Sequence, residues 1–207
     1  MGLIATSILL FNRYFHALMS RWRNCYYRVL GVRLNGYVWM RNIEVPRNFQ
    51  EIEIEQGTSL DRGVTLLCSG ESSPHPKIQI GENTYINRNT FIDASLSIVI
   101  GKECAIGPGC YITDHDHGID PGLSPLAQPL VSKQTQIGDR SWIGANVTVL
   151  KGVTIGADAV IGAGSVVTKD IPERAIAVGS PAKVIRYRQA DRTLAAAVSG
   201  SDIVESL

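Results

Sequence analysis

The chain lacks several features that would assign it to large protein classes. Its 20 Lys and Arg nearly balance its 19 Asp and Glu, for a net charge of +1, so there is no strongly basic footprint of the kind that nucleic-acid binders leave. Only four cysteines occur, Cys25, Cys68, Cys104 and Cys110, with no CxxC pair among them. That scarcity argues against a disulfide framework or a zinc site and favours buried free thiols. Long hydrophobic runs are missing too: the apolar stretch from Leu3 to Phe11 is interrupted by Thr6 and Ser7 and closed by Arg13, too short to span a bilayer. No basic region precedes it and no convincing small-residue cleavage site follows, so a signal peptide is disfavoured and the cytoplasm is the expected compartment. The first 40 residues contain no Asp or Glu but hold Arg13, Arg21, Arg23, Arg28 and Arg33. Any electrostatic argument must therefore be local, and it starts at this basic segment. With 207 residues, 44% of them hydrophobic, the chain can build one principal core.

What the chain does have is a period of six. From Ile137 it reads IGDRSW, IGANVT, VLKGVT, IGADAV, IGAGSV, VTKDIP. Every first position is Ile or Val, four second positions are Gly (138, 144, 156 and 162), and the fifth positions are small or β-branched. The register continues upstream at Ile100, Ile106 and Ile112, at Ile80, Ile86 and Ile92, and more loosely at Ile54, Leu60 and Leu66. Insertions separate these groups of three: a long one from Thr113 to Gln136, a short one near Ile98 and Val99, and one from Leu67 to Gln79 carrying Pro74 and Pro76. Solenoids accept extra residues at their corners, so one coil is three hexapeptides and every loop leaves from the same corner. The fifth residue of one repeat and the first of the next lie two apart and share a strand face, which is the interior. Residues two to four turn the corner, where Gly, Asn and Asp reach left-handed backbone cheaply. Three sides close a triangular prism of about five coils, roughly 24 Å long at ~4.8 Å per coil. An antiparallel sandwich would need repeats of about 8 to 12 residues.

The fold class expected is therefore all-β: a parallel β-helix over residues 51–170 with its loop at 113–136, preceded by a helical or capping segment (1–50) and followed by an exit segment and tail (171–207). Prism ends expose unpaired strands and need covers. Ile4, Ile8, Phe11, Phe15, Leu18, Trp22 and Val29 recur at helical spacing, which marks residues 3 to 30 as one or two amphipathic helices. Such an element reads as a cap on the first coil or a strut between subunits. With its arginines on the other face it also reads as a peripheral contact with the inner face of an anionic membrane. Ile171 to Arg188, with Pro172 and Pro181, should leave the prism, and residues from about 191 on are rich in Ala, Ser and Asp and read as disordered.

Chemistry concentrates in the longest insertion, TDHDHGIDPGLSPLAQPLVSKQ, which carries His115 and His117. An imidazole held in place can take the proton of a hydroxyl that attacks a carbonyl. A polar loop histidine satisfied by Asp114 or Asp116 is the bland alternative. Metal ligation is a third reading, weakened because the only other histidines, His16 and His75, fall outside the repeat register.

The runs IGANV, GVTIGADAVIGAGSVVTKDIP and AVGSPAKVIR resemble the hexapeptide-repeat acyltransferases, in particular the galactoside, maltose and polysaccharide O-acetyltransferase group with its xenobiotic relatives, over residues 54 to 188. The resemblance implies a left-handed helix, an exception to the usual crossover hand, a homotrimer, acetyl-CoA as co-substrate and no metal. In that family the catalytic histidine lies sixteen residues after the Gly of an IG pair, which from Gly101 falls on His117. An acceptor-binding asparagine lies fourteen residues before that Gly, at Asn87, with Asn89 the fallback. A corner residue chosen for its backbone is the competing reading there. The resemblance lays the pantetheine arm along Trp142, Gly144, Ala145, Gly162 and Ala163, and the nucleotide end at Thr168, Lys169, Lys183 and Arg186. It has no match here for the family's other acceptor contact from an N-terminal segment.

These expectations make the chain an O-acetyltransferase acting on a saccharide hydroxyl in polysaccharide or lipopolysaccharide assembly. A drug hydroxyl is the alternative acceptor, and a non-catalytic β-helix module the alternative of another class. A metal-dependent hydratase on the same fold would need three histidines on neighbouring faces. Serine acetyltransferases carry a longer helical region than the roughly 50 residues before the prism here.

Overall fold

The computed structural model describes residues 3–189, with side chains from residue 11 onward. Stacked aliphatics make the fold. The first positions of the repeats, among them Ile80, Ile86, Ile92, Ile100, Ile106 and Ile143, are 0–1% exposed, and the small fifth-position side chains of Thr84, Cys104, Ser141 and Ala159 fill the space beside them. Each isoleucine so buried contributes about 1.5–3 kcal/mol.

Three parallel sheets form the sides. The first face stacks Arg33–Asn35, Ile52–Glu55, Ile78–Ile80, Ile98–Ile100, Thr135–Ile137 and Thr154–Ile155; the second includes Trp39–Met40, Ser59–Leu60, Tyr85–Ile86, Ala105–Ile106, Trp142–Ile143 and Val160–Ile161; the third holds Thr65–Cys68, Phe91–Ala94, Tyr111–Thr113, Thr148–Val149 and Val166–Val167. Equivalent residues pair directly, Ile54 with Ile80, Ile80 with Ile100, Ile100 with Ile137 and Ile137 with Ile155. The winding is a left-handed β-helix with the five complete coils the period implies.

The corners divide a job that the sequence reading assigned jointly to residues two to four. Left-handed backbone belongs to the fourth residue of the repeats whose corner keeps the six-residue spacing: Gly57, Asn83, Glu103, Arg140, Asn146, Asp158 and their equivalents have φ between 54° and 76°. Glycine at the second position has another cause. A Cβ on Gly144 would stand 2.6 Å from the backbone nitrogen of Ala163 in the next coil, closer than real contacts allow. Charged fourth-position residues between the first and second faces alternate in sign up the stack, Glu103, Arg140, Asp158, Arg174. Arg140 donates to both Asp158 oxygens at 2.9 Å, and that hydrogen bonding holds the Asp158 carboxyl below the usual carboxylate range.

Both ends depart from expectation. At the N-terminal end a single helix, α1 (Leu3–Leu30), covers the first coil, but with its polar side. Ser20 Oγ accepts from the Met40 amide at 2.9 Å, Asn24 accepts from the Val38 amide at 3.1 Å and donates to the Val38 carbonyl, and Tyr27 donates to the Ile43 carbonyl at 3.1 Å. The open strand edge of the first coil needs hydrogen-bond partners, and apolar side chains have none to give. Phe11, Phe15, Leu18, Trp22 and Val29 are consequently exposed, so the stripe read as a cap faces away from the prism. Ile4 and Ile8 of that stripe lie outside the described side chains. The prism itself starts before residue 51: Arg33–Asn35 and Trp39–Met40 pair in parallel with the second coil.

At the other end, Ile171 to Arg188 stay on the prism. Ile171 bridges to Ile155, Ala175–Val178 pairs in parallel with Val160–Ile161, and Lys183–Tyr187 folds back antiparallel on Ala175–Val178. The expectation of an exit segment gives way to a hairpin because the last coil also presents an open edge. The tail from about 191 lies outside the described residues.

The insertion between Leu67 and Gln79 is pinned by a buried ion pair. Lys77 Nζ lies 3.0 Å from Glu51 Oε2, both side chains 3% exposed or less, though without hydrogen-bond alignment at that oxygen. Glu51 Oε1 accepts from the Ser73 amide at 2.7 Å, and Lys77 donates to the carbonyls of Ser69 and Glu71. Removing one partner strands the other charge, so Glu51→Ala should cost about 3–5 kcal/mol in urea unfolding, and adding Lys77→Met should recover part of it. A loss below about 1 kcal/mol would contradict the assignment of this pair as the anchor.

Candidate active site

The insertion of residues 113–136 leaves the corner between the third and first faces as a braced arm. Asp114 at its root is fully buried. Its carboxylate accepts from the amides of Ser95, Leu96 and Ser97 at 2.5–2.8 Å, stitching the short insertion of the previous coil to the long one. The Lys133 amide donates to the Asp114 carbonyl at 2.7 Å, and Thr135 Oγ1 to the Thr113 carbonyl at 2.8 Å, closing the loop on the prism. Farther out, His115–His117 pairs antiparallel with Leu130–Ser132, His117 opposite Leu130. The Gln128 amide side chain bonds to the backbone of Asp120 and Leu123, and Lys151 Nζ meets Asp116 Oδ2 at 3.0 Å.

The two histidines differ in environment. His115 sits between acids, with Nδ1 2.9 Å from Asp114 Oδ1 and Nε2 3.8 Å from Asp93 Oδ2, its side chain 10% exposed. His117 stands one strand step farther from the prism, about 7 Å along the arm. It is exposed and makes no side-chain hydrogen bond among the described residues. His115 thus has the satisfied environment that the bland reading of DHDH required, and His117 retains a free imidazole. No three metal-ligating side chains converge among the described residues.

Asn87 lies at the second position of a repeat, on the corner between the second and third faces. Its Oδ1 accepts from the Arg88 amide at 2.8 Å, leaving the amide NH₂ without a partner among the described residues. The backbone reading of these asparagines fits Asn89, which is left-handed at φ 57°, and does not fit Asn87. One chain does not unite Asn87 with His117: they flank the third face from opposite corners, a six-residue side or roughly 20 Å apart.

Trp142, 57% exposed, stands on the second face below Val160 and Ile176, with Arg186 opposite Ile176. Gly144, Ala145, Gly162 and Ala163 rise beside it on the corner between the second and third faces, and Lys183 pairs with Val178 at the top. This column joins seven of the nine residues expected to meet the coenzyme. Thr168 and Lys169 follow the last strand of the third face, at the corner shared with the arm. Sequence reading overlooked Asp93, whose signal was its register with Thr113, and a group of arginines on the corner of Asn87. Of the four cysteines expected to be buried free thiols, Cys68, Cys104 and Cys110 are buried and Cys25, on the outer side of α1, is exposed; burial, then the nearby Glu51 carboxylate, pushes the Cys68 thiol up to about 12.

A family model described as bacterial transferase hexapeptide (six repeats) matches residues 134–169, and one described as hexapeptide repeat of succinyl-transferase matches residues 77–114. A hexapeptide-repeat-containing acetyltransferase from Vibrio cholerae is 31% identical, covering 65% of this chain and 72% of that one with a TM-score of 0.57; it has also been solved with acetyl-coenzyme A, at a TM-score of 0.53. WbbJ of Escherichia coli K12, named provisionally as a lipopolysaccharide biosynthesis O-acetyl transferase, is 41% identical over 117 residues, 53% of this chain and 60% of its own. The galactoside O-acetyltransferase of the same strain is 40% identical over 109 residues, 53% of each chain. The chain thus spans little more than half the length of these two curated relatives.

Asp114→Ala would leave the three amides of Ser95 to Ser97 without their acceptor, each worth about 1–3 kcal/mol. Hydrogen exchange over residues 115–132 should accelerate relative to the adjoining coils; an unchanged exchange pattern would show that the arm is braced by something else.

Proposed function

The chain belongs to the hexapeptide-repeat acetyltransferases, and on that premise we propose that it transfers an acetyl group from acetyl-CoA to a saccharide hydroxyl, with His117 as general base. The observation that carries this reading is the contrast within the arm: His115 is engaged by Asp114 and Asp93, whereas His117 is exposed and uncommitted on a rigid support. In the reaction, His117 takes the proton of the acceptor hydroxyl as its oxygen bonds to the thioester carbonyl carbon. The carbon–sulfur bond then breaks, and the imidazolium returns the proton to the departing thiolate.

The residues present fit the co-substrate. Small side chains at Ala145, Gly162 and Ala163 leave surface open to a pantetheine arm while Gly144, buried beneath the next coil, lets that coil stack closely, exposed Trp142 offers a flat apolar wall, and Lys183 and Arg186 supply cations for phosphates. Thr168 and Lys169 join this set from a different corner, which a neighbouring subunit would bring close. A homotrimer also resolves the separation of Asn87 and His117, because the arm of one subunit then reaches the corner of the next. The arm carries Ile119 and Leu126, 91% and 87% exposed, apolar tips that such a neighbour would cover. Asn87 would hold the acceptor through its free NH₂.

The names of WbbJ and the galactoside enzyme support a saccharide acceptor over a drug, and the outward stripe of α1 supports work at a membrane. No helix among the described residues is long and apolar enough to cross a bilayer, but Phe11, Phe15, Leu18 and Trp22, flanked by Arg13 and Arg21, suit the interface of an anionic one. The protein should co-sediment with phosphatidylglycerol vesicles in a salt-dependent manner. A variant with Phe15, Leu18 and Trp22 changed to Ser should not, and equal sedimentation of both would remove the membrane from the account.

His117→Ala should lower acetyl transfer about 10²- to 10⁴-fold, followed by thiol release against a panel of saccharides, with an unchanged melting temperature. Activity within about threefold of the parent would reject His117 as the base.

A further inference from the structure

A groove of about 410 Å³ lies between α1 and the corner of Asn87, at the end of the prism opposite the column fitted to the coenzyme. Its charged lining is Arg23 from the helix and Arg41, Arg62 and Arg88 from the corner, with one acid, Asp61, among them. Four guanidinium groups against one carboxylate leave a local charge of +3.

Stacking makes this concentration costly. The Gly63 amide bonds to the Asn42 carbonyl, that of Asn89 to Arg62 and that of Gly109 to Arg88, so Arg62 and Arg88 occupy the same corner position in adjacent coils, about 4.8 Å apart. Like charges placed directly opposite on neighbouring strands repel. On the corner between the first and second faces the conflict is avoided, since Glu103, Arg140, Asp158 and Arg174 alternate there, and where Lys151 stacks on Lys133 Asp116 meets Lys151 at 3.0 Å. Asp61 answers only part of the repulsion: it lies 3.6 Å from Arg41 Nη1 and 3.8 Å from Arg88 Nε, longer than the roughly 2.7–2.9 Å of a strong charge-assisted bond. Arg23 reaches the Met40 carbonyl only at 3.4 Å, and the Arg62 side chain has no hydrogen-bond acceptor among the described residues. The guanidinium donors are gathered but not used.

We propose that this groove binds a phosphate or diphosphate ester carried by the acceptor. Several guanidinium forks facing one space match the many oxygens of a diphosphate better than a single carboxylate. Coenzyme A is the wrong anion for it, because the column at Gly144 and Gly162 begins two coils beyond Arg88 and runs away from the groove. The acceptor is the right one: Asn87 adjoins Arg88 in the chain and Arg88 lines the groove, so a sugar held at Asn87 lies within reach of the arginines through its linkage. This assignment of the anion to the acceptor rests on the saccharide reading above. The diphosphate could belong to a nucleoside or to a polyprenol, and Phe15, which lines the groove and opens onto the apolar stripe of α1, offers a path for the latter.

Titration calorimetry of the full chain with inorganic pyrophosphate tests the groove without requiring turnover. The parent should bind it, and Arg62→Gln/Arg88→Gln should weaken binding about tenfold or more with no change in melting temperature. Arg23→Gln, on the opposite wall, should weaken it independently. UDP-glucose and farnesyl diphosphate as competitors then distinguish the two sources by which displaces pyrophosphate at lower concentration. Absence of pyrophosphate binding to the parent, or equal binding by parent and variants, overturns the proposal. Pyrophosphate binding that depends on the arginines in a protein that acetylates no saccharide would instead reject the transferase reading and leave the anion site standing.

Discussion

The molecule depends on one constraint: each backbone corner must lie directly above the same corner of the previous coil, one strand spacing away. At that distance the second residue of a repeat has no room for a side chain wherever the next coil's backbone crosses it, the fourth must turn left-handed, and the first and fifth must point inward together. Isoleucine stacked on isoleucine supplies the driving force. Register is then no longer free, because a slip of one residue would turn every isoleucine outward. A side chain on a repeat of such a scaffold is located by its repeat position and coil number alone, which is why a corner asparagine and a row of small residues have fixed places on the column.

A column built this way generates two open edges, and the chain closes them in different ways. At the last coil it uses more of itself, folding Lys183–Tyr187 back on Ala175–Val178. At the first coil it uses polar side chains of a helix, Ser20, Asn24 and Tyr27, to meet backbone amides and carbonyls. Turning that side inward leaves an apolar stripe facing out, so the same backbone requirement that caps the prism creates the surface suited to a bilayer. The arginine groove lies in the seam between these two parts.

Periodicity made the prism readable in the sequence, since a six-residue repeat with three members per coil closes a three-sided column, whereas its left hand followed from the family resemblance and not from the spacing. The arm was readable as well, because an insertion at a fixed corner must leave the column there, and DHDH stood within it. Three things were harder to read. The direction of α1 depends on which side meets strand edges, and hydrophobic spacing reports only that a stripe exists. Asp93 and the cluster of Arg41, Arg62 and Arg88 are scattered in sequence and become neighbours only after coils are laid over one another. The relation between Asn87 and His117 is not contained in one chain at all, because each marks a different corner of the same face.

The proposed chemistry requires the arm to deliver His117, and not His115, to the thioester on a stacked and closed prism. A crystal structure of the assembled protein with coenzyme A bound tests it most directly. The sulfur should lie roughly 3–4 Å from the position an acceptor oxygen would take beside the His117 ring, with the pantetheine arm along Gly144 and Gly162 and the nucleotide toward Lys183 and Arg186. A coenzyme whose sulfur ends beside His115, or on a face that no arm reaches, would contradict it.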